Sequence, residues 1–267
     1  MPREAITITK TPKKDGEKAK PPKIDISPQK CSYCGMCEPI CPFAALQVHV
    51  NGEHLVPVIE KESFPNLIRE IEVDPSKCDV GCVDCEKACP LNLIKVTILT
   101  SDGQEVRAED VKTQPNKHNL KVKVDIKKDL CPCCRLCEMK CPKDAIHVRK
   151  IFHGLLNISL EKCPQDCQDC LDACPIPGAL FLNGDGKVHP NETFCVFCGV
   201  CKLVCPVEGA LKMDRKSIHH TLVSSGAWNK TLEKLTSTNE YSKEAKLKGW
   251  IKAQQAVEKR LVFTKES

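Results

Sequence analysis

One cysteine motif occurs five times along this chain of 267 residues and takes up 20 of its 21 cysteines. Each copy places three cysteines within seven or eight residues, adds a fourth cysteine four residues later, and ends in Cys-Pro. These copies, called blocks 1 to 5, span residues 31–42, 78–90, 131–142, 163–175 and 195–206. Cysteines only two residues apart are poor disulfide partners, so this crowding indicates metal or redox chemistry.

The spacing of the thiols favours iron–sulfur clusters. Soft thiolates select either iron–sulfur clusters or zinc. Three cysteines in a tight loop followed by Cys-Pro is the spacing of [4Fe-4S] ligands, and in two-cluster proteins the fourth cysteine binds the neighbouring cluster. A short helix is predicted after each third cysteine, ended by the proline. Gly35 and Gly199 follow a second cysteine and allow backbone angles that bring amides close to the cluster.

The blocks alternate in spacing, and this alternation predicts how they pair. Blocks 1, 3 and 5 have two residues between their first two cysteines, whereas blocks 2 and 4 have three. If a pair contains one of each kind, blocks 1–2 and 3–4 form pairs, with blocks 4–5 as the alternative. The predicted clusters are held by Cys31, Cys34, Cys37 and Cys89; by Cys78, Cys82, Cys85 and Cys41; by Cys131, Cys134, Cys137 and Cys174; and by Cys163, Cys167, Cys170 and Cys141.

Block 5 has no mate in this scheme. Cys195, Cys198 and Cys201 are expected to hold three irons of an incomplete fifth cluster, with Cys205 pointing elsewhere. The last residues, 261–267, look like the strand that precedes the other blocks, which suggests a truncated array with a sixth block, or a partner that supplies the missing ligand. Cys133 is predicted to be a small buried neighbour of the regular ligands.

The predicted fold class is α+β, with tandem two-cluster ferredoxin-like modules and a C-terminal helical segment. A short strand is expected on either side of each block, and Asn51-Gly52 and Asp102-Gly103 are hairpin signals. His49, His54 and His147 are expected to face solvent, and no histidine is expected to bind metal. The predicted divisions are a flexible lead-in at 1–23, modules at 24–115 and 116–190, a half module at 191–216 and a helical segment at 217–267.

Composition excludes several other classes of function. The formal charge of +5 treats cysteine as neutral, and four clusters at about −2 each would bring the total to about −3. The basic residues therefore predict no nucleic-acid partner. The sequence predicts no signal peptide and no membrane span, which indicates a cytoplasmic protein. Since only 4% of residues are aromatic, cluster binding is expected to supply much of the folding free energy.

The tandem blocks, together with the later stretch VSSGAWNKTLEKLTS, resemble the polyferredoxins of methanogenic archaea. Within that family they are most similar to the iron–sulfur subunits of tungsten/molybdenum formylmethanofuran dehydrogenases. This resemblance implies a non-catalytic subunit that relays low-potential electrons inside a redox complex, with a ferredoxin or hydrogenase as electron donor. The alternatives are a hydrogenase-associated or freely diffusing polyferredoxin and, more distantly, a zinc-binding interaction module.

Overall fold

The computed structural model describes residues 5–14, 16–113 and 119–236. Within these ranges the chain forms many short strands and a few short helices. The strands are β1 Ile6–Thr9, β2 Lys23–Ile26, β3 His49–Val50, β4 Glu53–His54, β5 Ile71–Val73, β6 Ile94–Leu99, β7 Glu105–Val106, β8 Lys121–Ile126, β9 Ile146–Val148, β10 Phe152–Ile158, β11 Leu180–Leu182, β12 Val188–Pro190 and β13 Leu211–Ile218. The helices are α1 Pro57–Glu60, α2 Asp84–Ala88, α3 Leu136–Lys140, α4 Asp169–Asp172, α5 Val200–Val204 and α6 Gly226–Thr236.

Blocks 2 and 3 lie together in what we call the central unit, residues 71–148. Strand β5, before block 2, pairs antiparallel with β9, after block 3. Strand β6, after block 2, pairs antiparallel with β8, before block 3, and carries the short β7 on its other edge. The two blocks are therefore related by a pseudo-twofold arrangement, with helices α2 and α3 in contact with each other.

Blocks 4 and 5 form a second unit of the same design, the C-terminal unit, residues 152–218. Strand β10 pairs with β13, and β11 pairs with β12, so that each block again lies between strands of both sheets. The β10–β13 register shifts between His153 and Gly154. A Cβ atom on Gly154 would lie 2.1 Å from the Asp214 carbonyl oxygen, so this bulge requires glycine.

Block 1 belongs to an N-terminal unit that has no second block. Its leading strand, β2, pairs with β1, and the following strand, β3, forms a two-residue hairpin with β4. Asn51 and Gly52 both have positive φ, as a type I′ turn requires, which confirms the predicted hairpin. Part of the predicted flexible lead-in therefore belongs to a strand pair, because β1 covers the edge of β2.

The predicted pairing of blocks 1–2 and 3–4 is wrong. The predicted boundary at 115/116 separates β6 from β8, which are hydrogen-bonded partners, and the boundary at 190/191 separates block 4 from block 5. The half module lies at block 1 rather than at 191–216. Each observed pair contains one block of each spacing, but the predicted pairs 1–2 and 3–4 would also do so. The spacings therefore do not distinguish the two pairing schemes, and only the strand partners show which one the chain adopts.

Helix α6 confirms part of the predicted helical segment. It begins at Gly226 and packs against β13, and Trp228 at its start is 2% exposed. The Trp228 ring lies edge-on to Phe64, with 5.6 Å between ring centroids. The predicted helical residues 240–260 lie outside the described residues. Among the helices that the structure describes, none has the length and apolar character needed to cross a membrane.

Candidate iron–sulfur centres

The loops of all five blocks share one backbone feature, a left-handed residue at the same position. The residue immediately before the second cysteine has a positive φ in all five blocks, although only one of the five is glycine. These residues are Tyr33, Gly81, Cys133, Asp166 and Phe197. A left-handed residue at this point reverses the chain direction, so that the first three thiols of a block face a common space. Such strain in non-glycine residues is typical of ligand-binding loops.

A second left-handed residue distinguishes the two kinds of block. Gly35 and Gly199, which follow the second cysteine, have φ of 82° and 86°, as the sequence predicted. Arg135 takes the equivalent place in block 3 with φ of 69°, and its Nε donates to Glu138 Oε2 at 2.5 Å. In blocks 2 and 4 the equivalent residues have ordinary negative φ. In these two blocks the additional residue between the first two cysteines takes the place of the second left-handed residue.

The third cysteine of each paired block lies in a short helix. Helices α2, α3, α4 and α5 confirm the prediction of a helix at this point in four blocks and leave the thiol buried in the core, whereas block 1 forms turns there. Burial raises the pKa of Cys85 to about 11, and the pKa of each equivalent thiol in the other three blocks to about 12. These thiols carry their protons at neutral pH, so binding of iron must displace protons as the site fills.

The Cys-Pro ends form tight turns that direct amides toward sulfur. A left-handed residue follows each Cys-Pro, at Ala44, Asn92, Asp144, Gly178 and Gly209. The next amide then donates to the cysteine in the central unit: Leu93 N lies 3.3 Å from Cys89 Sγ, and Ala145 N lies 3.2 Å from Cys141 Sγ. Hydrogen bonds to the sulfurs are one of the factors that set the potential of an iron–sulfur cluster.

The structure brings the thiols into four groups that each contain four cysteines. In every case the triplet of one block is completed by the fourth cysteine of its mate, as two-cluster proteins require. Numbered by their triplets, the groups are site II with Cys78, Cys82, Cys85 and Cys141; site III with Cys131, Cys134, Cys137 and Cys89; site IV with Cys163, Cys167, Cys170 and Cys205; and site V with Cys195, Cys198, Cys201 and Cys174.

Three of the four predicted donors of the fourth thiol, Cys89, Cys141 and Cys174, are therefore reassigned. Cys89 was expected at block 1 and lies at site III, and Cys141 was expected at block 4 and lies at site II. Cys174 lies at site V rather than at block 3. Cys205, which was expected to point away from the block 5 cluster, lies with the block 4 triplet. The alternative pairing of blocks 4 and 5 is the one that the structure shows.

Site I consists of the block 1 triplet, Cys31, Cys34 and Cys37, around an apolar pocket in the N-terminal unit. The predicted fourth-ligand cysteine of this block, Cys41, was expected at block 2. Its carbonyl oxygen accepts a hydrogen bond from Arg69 Nη2 at 3.5 Å, and Arg69 Nε donates to the Cys131 carbonyl oxygen at 3.0 Å. Block 1 therefore contacts the loop of site III through Arg69, a link that was not predicted from the sequence.

Cys133 is buried beside the regular ligands, as the sequence predicted. Its side chain is inaccessible to solvent, and its Sγ lies 3.8 Å from the Cys131 carbonyl oxygen. The hydrogen bond between these two cysteines lowers the pKa of Cys131 to about 7 and raises the pKa of Cys133. Cys133 stands at the loop position that Tyr33 and Phe197 occupy in blocks 1 and 5.

One further prediction concerns the histidines, which lie outside the cysteine blocks. His49 and His54 lie on β3 and β4 and are exposed, and His54 Nε2 lies 2.6 Å from Glu38 Oε1. Within the described ranges, no three His, Cys, Asp or Glu side chains are gathered closely enough to hold a single metal ion. Sites II, III and V instead arrange soft donors around largely apolar pockets, which fits the chemistry of a [4Fe-4S] cluster.

Comparison with known proteins places these sites in a family. The family described as the 4Fe-4S dicluster domain matches residues 30–94, a stretch that contains blocks 1 and 2. A ferredoxin from Methanothermococcus thermolithotrophicus is 37% identical over 54 residues, a stretch that covers 20% of this chain and 88% of that protein. This chain belongs to the ferredoxin family.

Two larger proteins are also similar to this chain. The polyferredoxin-like subunit of an aliphatic sulfonate oxidoreductase from Pyrococcus furiosus is 36% identical over 90 residues, 29% of this chain and 50% of that protein. The chain thus spans about half the length of this curated relative. A chain of the formate dehydrogenase–heterodisulfide reductase–formylmethanofuran dehydrogenase complex from Methanospirillum hungatei superposes with a TM-score of 0.72. It is 31% identical, and the match covers 88% of this chain and 79% of that one.

Proposed function

We propose that this chain is a polyferredoxin subunit that carries electrons between [4Fe-4S] clusters inside an oxidoreductase complex. The observation that carries the proposal is the exchange of fourth cysteines between blocks 2 and 3 and between blocks 4 and 5, which yields four complete sets of four thiols. Such clusters supply one-electron transfer at low potential. The protein supplies fixed donors, apolar walls and amides directed at sulfur.

The proposed ligands are the twelve triplet cysteines of sites II to V with Cys141, Cys89, Cys205 and Cys174 as their fourth ligands. The triplet of site I is proposed to hold a fifth cluster. The central and C-terminal units then each contain two clusters whose ligands cross between neighbouring helices, so the short helices link both clusters of a unit. This arrangement supports the two-cluster ferredoxin module as the repeating element of the fold.

The complex proposed for this subunit is one that contains a formylmethanofuran dehydrogenase. The similarity to a chain of the Methanospirillum hungatei complex supports this assignment, because it extends over nearly the whole of the present chain. In such a complex the subunit would pass electrons, received from a ferredoxin or a hydrogenase, toward the site where carbon dioxide is reduced. It would act in the cytoplasm as a conductor without a catalytic residue of its own.

Anaerobic purification from the native cell tests both levels of the proposal. The expected result is a brown protein that is bleached by dithionite, recovers its colour on mild oxidation, and co-purifies with a molybdopterin subunit. Recovery of the same brown protein with a hydrogenase would support the hydrogenase-associated alternative. A brown protein that elutes alone would support the freely diffusing carrier. A colourless protein that contains zinc and no sulfide would overturn the iron–sulfur function itself.

A further inference from the structure

The central and C-terminal units meet at a point where two cysteine sites are close together. Cys134 of site III shares one buried apolar cluster with Val196 and Ile176 of the C-terminal unit. Cys174, Cys195 and Cys198 of site V pack against the same cluster. We call this contact the unit junction. We call sites III and V the inner sites, because their cysteines take part in this contact, and sites II and IV the outer sites.

A buried lysine lies at the unit junction. Lys150, in the link between β9 and β10, is 9% exposed, and its Nζ donates to the Glu192 carbonyl oxygen. The same Nζ lies 5.0 Å from the centroid of the Phe197 ring, which is part of the site V loop. Burial lowers the pKa of Lys150, while the thiols of Cys195 at site V and Cys134 at site III act in the opposite direction. One cation thus lies beside the site V loop and within electrostatic range of a ligand of each inner site.

Other charges around the inner sites are held in place by specific partners. Arg215 Nε and Nη2 donate to the Phe197 carbonyl oxygen at 2.9 and 2.7 Å, and Arg69 reaches the Cys131 carbonyl oxygen. The nearby Glu192 carboxylate accepts a hydrogen bond from Leu156 N at 2.9 Å. Arg135, which also acts on Lys150, is paired with Glu138. Lys150 interacts electrostatically with a cysteine of each inner site.

The outer sites have a different charge environment. Asp74 and Asp79 act on Cys78 of site II, and Asp79 is paired with Lys143 at 3.3 Å. At site IV, Asp169 of α4 is paired with Lys13 of the N-terminal segment at 2.5 Å, and Asp172 accepts a hydrogen bond from Ala19 N. Lys143 and Lys13 have side chains that are 50% and 38% exposed, so water screens both of these cations.

We propose that Lys150 raises the reduction potentials of the clusters at sites III and V, so that transferred electrons rest at the unit junction. The proposal rests on the function proposed above. Each cluster takes up one electron from a low-potential one-electron reductant, no covalent bond is made or broken, and the cluster gains one negative charge. A buried ammonium stabilises that additional charge because the surrounding dielectric is low. Burial and local charge are among the factors that tune cluster potentials.

The test is a potentiometric titration of the whole iron-loaded protein, followed by electron paramagnetic resonance. Lys150→Met removes the charge and keeps most of the side-chain length. Lys150→Arg keeps the charge, and Lys121→Met, at an exposed position of β8, removes a lysine charge outside the unit junction. Iron and sulfide content is measured on each variant, so that loss of a cluster is separated from a change in its potential.

The expected result is that Lys150→Met lowers the equilibrium constant for reduction of two clusters by about tenfold, which is 59 mV per one-electron step. Lys150→Arg and Lys121→Met should titrate like the unaltered protein. A Lys150→Met protein with full iron content and unchanged potentials would overturn the proposal while leaving the electron-transfer function intact. Absence of iron and sulfide from the unaltered protein would overturn the function itself.

Discussion

At the scale of single residues, the position of the fourth cysteine of each block shows which blocks are joined. Cys89 leaves block 2 and lies with Cys131, Cys134 and Cys137 at site III. The sequence indicates that this cysteine serves a neighbouring cluster, since Cys-Pro ends the helix and directs it away. It does not indicate which neighbour, because the spacing around Cys89 is the same for either mate.

Double substitution separates these possibilities. Cys89→Ser combined with Cys131→Ser should lose no more iron than the more damaging of the two single variants, because both residues belong to one site. Cys89→Ser combined with Cys31→Ser should lose the sum of the two single effects, since independent sites add. The measurement is the iron content of protein loaded anaerobically. Additive losses for the first pair, with non-additive losses for the second, would contradict the observed grouping.

Cys133 provides the matched control for these serine variants. It lies next to a ligand in sequence and is fully buried, but Cys134 keeps the regular spacing of the block. Cys133→Ala should therefore retain the iron content of the unaltered protein and lower its stability through a small cavity alone. Loss of one cluster in this variant would show that Cys133, rather than its neighbour, is the ligand.

At the scale of elements, the turns and short helices were predictable, whereas the strand partners were not. The Asn51-Gly52 hairpin and the helices at the third cysteines follow from local rules of backbone geometry. The left-handed Arg135 was missed because it is not a glycine, although its position after a second cysteine matches Gly35 and Gly199. The pairing of β6 with β8 could not be predicted from the local sequence, because predicted strands both before and after β6 in the chain could serve as its antiparallel partner.

The bulge in β10 gives a prediction at this scale. Gly154→Ala should be destabilising by about 1–3 kcal/mol, because the new methyl group overlaps the Asp214 carbonyl oxygen and the β10–β13 register must shift. Gly184→Ala is the matched control, since a Cβ there meets nothing within 4 Å. The measurement is the thermal unfolding midpoint of iron-loaded protein under anaerobic conditions. Equal midpoints for the two variants would show that the β10–β13 register is not as described.

At the scale of the whole molecule, the cluster ligands occupy the place of a hydrophobic core. Cys85, Cys137, Cys170 and Cys201 are buried within the main core cluster, while large aromatic side chains are few. Ligation free energy then becomes folding free energy, as expected for small proteins that fold around metal. The sequence predicted this dependence through its composition. The position of the unpaired block at the N-terminal end became visible only from the strand partners.

Removal of iron should therefore unfold the protein. A chelator with reductant under anaerobic conditions is expected to abolish most of the far-ultraviolet circular dichroism. In a Trp250→Phe background the fluorescence of Trp228 should shift to longer wavelength, because this ring leaves its buried position against Phe64. The control is readdition of iron and sulfide, which should restore both signals. A chelated protein with unchanged dichroism and a buried Trp228 would show that the fold does not depend on the clusters.

The most direct test of the central claim is the iron and acid-labile sulfide content of anaerobically purified protein, measured on the same sample as its absorption before and after dithionite. Four complete thiol sets predict about 16 iron and 16 sulfide per chain, rising toward about 20 of each if site I is also filled. The absorption should bleach reversibly. Iron at about 8 per chain with matching sulfide, or zinc with no sulfide, would contradict the account.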